Sequence, residues 1–93
     1  MKEFLKSDLK YIYSWTLTKK IQNAWIKGFP NDRFLYRSEG YEVLPFINRY
    51  LRTRTIKNLA AFQMIEKIIQ FGLTKSIASH AKIKEWLDNN LIR

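Results

Sequence analysis

The run Arg49-Tyr-Leu-Arg-Thr-Arg-Thr-Ile-Lys57 places four cations and one aromatic ring in nine residues, with no acid among them. Guanidinium forks grip phosphate oxygens bidentately, and a ring between them can stack on a base. Arg49, Arg52, Arg54, Lys57 and Tyr50 therefore read as candidate nucleic-acid contacts. The competing account is that cations near a helix C-terminus complement its dipole. Three arginines within six residues exceed what one helix end requires.

A second stretch, Phe71-Gly-Leu-Thr-Lys-Ser-Ile-Ala-Ser-His-Ala-Lys-Ile83, resembles the turn and second helix of a helix-turn-helix. On that reading Lys75, Ser76, Ser79, His80 and Lys82 face the nucleic acid. Many such motifs carry a small residue four positions before the turn glycine, where this chain has Ile68, so an ordinary helical hairpin remains open. The charge pattern supports an anionic partner in either case. Between Val43 and Lys84 lie eight of the seventeen basic residues and one acid, Glu66, which gives +7 of the formal net charge of +9. Such an excess repels itself unless a partner relieves it.

Fourteen aromatic rings, 15% of the chain, exceed what a core of this size can bury. Trp25 and Trp86 lie among apolar residues at helical spacing and are expected in the core. Tyr11, Tyr13 and Trp15 sit near an expected helix break and are the candidate contacts for a protein partner.

Catalysis finds no constellation. His80 is the single histidine and has no neighbouring nucleophile or carboxylate to make a triad, while Glu85 and Asp88 read as solvent-facing charges. With no cysteine, no paired-histidine motif and no Gly-rich phosphate loop, the chain is expected to be no enzyme and to hold neither cofactor nor metal. No apolar run approaches a membrane span of about twenty residues. The lysines and acids of the first twenty-five residues do not form a signal peptide, so a cytoplasmic protein is expected. Lys, Ile and Asn supply 28 residues, and their AT-rich codons hint at a low-GC genome, phage or mobile element.

These residues need elements to position them, and the apolar spacing is helical throughout. Leu5, Leu9 and Ile12 follow one helical face, and Leu17, Ile21, Ala24, Trp25 and Gly28 follow a second, with a break near Ser14 to Thr18. Residues 28 to 32 read as a loop, and Phe34, Leu35 and Tyr36 as either a short helix or an extended piece. Pro45 suits the first turn of a helix running to about Arg52. Thr53 or Thr55 is expected to cap the next helix, Ile56 to Phe71, whose wide apolar face makes it the central helix, with Gln63, Glu66, Lys67 and Gln70 on its polar arc. Gly72 is expected as its left-handed C-cap, and Thr74 or Ser76 as the start of the last helix. The fold class expected is an all-α bundle of four to five helices in one domain over residues 1–93, containing a helix-turn-helix-like pair (56–71 and 74–90).

The function this composition suggests is a small basic nucleic-acid-binding accessory protein, for DNA in preference to RNA, that serves a replication or transcription machine and also docks a protein partner. One alternative is a non-catalytic interaction module (inhibitor, immunity factor or enzyme subunit) whose basic surface matches an acidic partner. Another is peripheral attachment to anionic membrane through Lys2, Lys6 and Lys10 beside Phe4, Leu5 and Leu9.

Overall fold

A computed structural model describes residues 3–24 and 26–91. Among them are four α-helices and no strand: α1 (Leu17–Ala24), α2 (Gly40–Arg54), α3 (Leu59–Lys67) and α4 (His80–Asn90). A 3-10 turn occupies Lys6–Asp8, and a π turn, Ile68–Gly72, prolongs α3. The all-α architecture is the expected one. No helix among the described residues is long and apolar enough to cross a membrane.

The central helix is α2 rather than α3. Val43, Phe46, Ile47, Tyr50 and Leu51 recur at helical spacing and are fully buried or nearly so, giving α2 five of the eleven core side chains. Phe62, Ile65 and Ile69 enter from α3 and its π turn, Ile83 and Leu87 from α4, and Leu35 from the segment before α2. This helix begins earlier than Pro45 suggests. Glu39 caps it, its carboxylate accepting from the amides of Tyr41 and Thr16, and Pro45 lies inside at the sixth position. Gly40 follows the cap because the Trp15 ring lies where a Cβ would project.

The other end of α2 closes on Thr55, in the left-handed region at φ 51°, with the amides of Thr55 and Ile56 turned back to Leu51 O. Thr55 therefore ends one helix and does not start the next. The cap of α3 is Asn58, whose side-chain oxygen accepts from Ala61 N at 2.7 Å. Gly72 is likewise no left-handed cap, for the helix ends through the π turn into extended Leu73.

Two expected apolar faces are corrected by the structure. The Leu5–Leu9–Ile12 segment is a strap with one 3-10 turn, and Ile12 is 99% exposed. Beyond the bonds of that turn, side chains of other elements take several of its backbone groups. Glu66 accepts from the amides of Lys10 and Tyr11, Gln63 donates to Asp8 O, and Asn48 pairs with both Phe4 N and Phe4 O. Glu66, placed on a polar arc by its spacing, is thus fully buried. In α1 the stripe of Leu17 and Ile21 points outward, at 68% and 56% exposure, because Asn23 turns inward to donate to Glu42 Oε2 at 3.0 Å. Trp25, expected in the core, lies outside the described residues.

The last helix starts at His80, later than Thr74 or Ser76 suggests, with Ser79 as its cap accepting from Lys82 N. Residues 73–79 form the connection from α3, longer than the three or four residues of a helix-turn-helix. The start of α4 is held by Leu35 N donating to Ala78 O, His80 N to Arg33 O and Ala81 N to Pro30 O.

Candidate nucleic-acid interface

The arginine run of α2 disperses on folding. Arg49 turns inward, donating from Nε to Gly28 O at 3.1 Å and from a terminal nitrogen to His80 Nδ1 at 3.1 Å. Burial weighs against its charge, and the Glu42 carboxylate opposes that effect. Arg52 pairs with Glu3, and Arg54 with Asp88. Tyr50 is fully buried and donates its hydroxyl to Asp88 Oδ1 at 3.0 Å, so its ring has no face for a base. Burial and the Asp88 contact push its phenol above the ordinary range, Arg54 opposing them. Asp88 also accepts from Lys84 at 2.6 Å. Burial raises its carboxyl, and contacts with Lys84, Arg54 and Tyr50 more than reverse that. Three arginines expected at nucleic acid thus serve three internal or ion-pairing roles.

The remaining expected contacts separate in the same way. Ser79 is buried as a helix cap, and His80 is wholly buried. Lys57 is exposed beside a groove of Phe4, Leu5 and Leu59. Ser76 and Lys82 are exposed and border a groove with Trp86, which is half-buried against the core. Lys75 is exposed at a third groove, with Leu35, Arg37 and Ala78.

Tyr11, Tyr13 and Trp15 are all half-buried. The Tyr13 hydroxyl donates to Glu66 at 2.7 Å, and burial, reinforced by that carboxylate, pushes its phenol well above the ordinary range. Trp15 meets Tyr41 edge-on at 5.0 Å, with Lys6 over its ring at 4.4 Å. Tyr11 meets exposed Phe71 edge-on at 5.3 Å.

The charge excess sharpens at the surface. Glu39, Glu42 and Glu66 are all buried. Among the described residues nine Lys and Arg side chains are exposed, against three acids, Glu3, Asp32 and Glu85, and Glu3 is already paired. No group of three or more His, Cys, Asp or Glu side chains among the described residues has metal-ligand geometry.

Residues 33 to 36 run extended, bridged at Phe34 to Ser79, before a turn at Arg37 and Ser38, and the segment alternates: Leu35 is buried while Phe34 and Tyr36 point out at 64% and 51% exposure. Arg33 and Arg37 flank them, Lys75 borders the groove on one side, and Lys19 lies 3.7 Å above the Tyr36 ring on the other. The signal in the sequence is two aromatic residues at i and i+2 between two arginines, hidden because Leu35 makes the trio a continuous apolar run.

The chain matches no protein-family model, no curated protein and no solved structure. The meaning of this surface therefore rests on its own geometry.

Proposed function

We propose that this is a small nucleic-acid-binding accessory protein without catalytic chemistry of its own, working within a larger replication or transcription machine. The observation that carries the reading is the segregation of charge: among the described residues three carboxylates are spent on internal hydrogen bonds while nine cations remain exposed. A surface of this kind attracts a polyanion, and each phosphate neutralised releases counterions. The test is a binding titration against single- and double-stranded DNA and RNA, with affinity falling steeply between about 50 and 200 mM salt. Absence of binding to all four at the lower salt would overturn the proposal.

A docked protein partner is the second reading, favoured by α1. This helix turns its polar side to the core and leaves Leu17 and Ile21, one turn apart, exposed. The membrane reading loses its basis, since residues 4–12 form no amphipathic helix and Phe4 and Leu9 pack on the core; Lys2 lies outside the described residues.

A further inference from the structure

We infer that the extended segment of residues 33–36 is a stacking platform for single-stranded nucleic acid, with one base on Phe34 and the next on Tyr36. The inference rests on the nucleic-acid reading above and names the form of the ligand. Residues i and i+2 of an extended chain lie about 6.4 to 6.8 Å apart on one face. Bases within a duplex strand repeat at about 3.4 Å and keep both faces against their neighbours. Two rings at the wider spacing match a strand drawn out until successive bases separate, and a duplex offers them no base face.

The surroundings fit a sugar-phosphate backbone. Two shallow grooves flank the ridge. One holds Arg37 and Lys75, the other Lys19 and Arg33, with Asp32 as the single acid. Arg37 is fixed by one terminal nitrogen, which donates to Ile77 O at 2.8 Å and Thr74 O at 3.4 Å and leaves Nε and the other terminal nitrogen uncommitted. Lys19 bridges to Glu42 at 3.7 Å and occupies one face of the Tyr36 ring, so the same contact sets ring and charge in place and the base stacks on the opposite face. The ridge itself is held rigid from below by the buried Leu35 and by Leu35 N donating to Ala78 O. Four cations around two exposed rings supply both parts that sequence-tolerant strand binding uses, stacking and phosphate attraction.

The experiment measures fluorescence anisotropy of a labelled oligothymidylate of about 20 nucleotides, long enough to cover the site, beside a blunt duplex of equal length. Phe34→Leu and Tyr36→Leu remove a ring and keep an apolar surface residue, and helical circular dichroism checks that both variants fold. Each should weaken single-strand binding by about fivefold to a hundredfold, while leaving its salt slope and the duplex affinity unchanged. Tyr36→Phe, which keeps the ring, should bind as the parent does. Lys75→Gln should instead reduce the slope of log affinity against log salt by about one. Parental single-strand affinity in both leucine variants, or a parent that prefers duplex, would overturn the platform and leave the broader nucleic-acid reading standing. No binding to strand or duplex would overturn both.

Discussion

His80 Nε2 and Glu42 Oε1 stand 3.8 Å apart in the interior, and neither atom makes a hydrogen bond within the described residues. Arg49 can only donate, so His80 Nδ1 accepts from it and the ring turns Nε2 towards Glu42. At that distance the contact is an electrostatic approach, and Asn23 supplies the hydrogen bond to this carboxylate.

Burial alone raises the Glu42 carboxyl, but His80, Asn23 and Lys19 together outweigh it and hold the group below its ordinary value of 4.5. A native value below the unfolded one means that the unfolded chain takes up protons first on acidification. Stability from Glu42 is therefore present above pH 4.5 and lost as pH falls towards the lower native value. Asp88, lowered from 3.8, adds to the loss in the same direction. Thermal melts should show a plateau near neutral pH and a falling Tm below pH 4.5, and Glu42→Gln should make the decline shallower. A melting temperature that rises on acidification would contradict this account.

Replacing Glu66 with Ala should destabilise the fold by about 1 to 3 kcal/mol, the cost of leaving part-buried donors without their acceptor. The amides of Lys10 and Tyr11 and the Tyr13 hydroxyl all lose their acceptor. Hydrogen exchange at Lys10 and Tyr11 should accelerate selectively. Denaturant melts indistinguishable from the parent would show that these groups find other partners.

Ile65→Ala should cost about 2 to 5 kcal/mol, because a fully buried methyl cluster leaves a cavity. Ile68, on the same helix, is only half-buried, and its alanine variant should lose clearly less. Equal losses would mean that α3 is rotated relative to its described orientation.

Arg49→Gln should lower stability by about 1 to 3 kcal/mol through the loss of its charged hydrogen bonds to Gly28 O and His80. Arg52→Gln removes only an exposed pair and should be close to neutral. Neither change should flatten the salt dependence of nucleic-acid binding by as much as Lys75→Gln. A large slope change in Arg49→Gln alone would return the arginine run to the interface.

The helical fold was legible because apolar spacing is local information, and α3 was found to within a few residues. What escaped depends on contacts across the chain. The strap of residues 4–13 has helical spacing at Leu5, Leu9 and Ile12, yet a carboxylate 56 positions away takes its amides. Gly40 reads as punctuation, whereas its role is to admit the Trp15 ring. Thr55 adopts a conformation that favours glycine, with no glycine to announce it. The arginine run looked like an interface because sequence cannot reveal that Glu3, Asp88 and His80 lie within reach of it.

The attachment of the strap through Glu66 constrains how such a chain can vary. A carboxylate that closes another segment's backbone is not interchangeable with the residues beside it on its own helix. Losing it leaves the amides of Lys10 and Tyr11 without their acceptor. In diverged copies of this chain, position 66 and the hydroxyl at position 13 should therefore change together or stay fixed, whereas Leu5 and Ile12, facing solvent, should drift freely. Pairwise covariation between 13 and 66 would then report this architecture in a set of sequences.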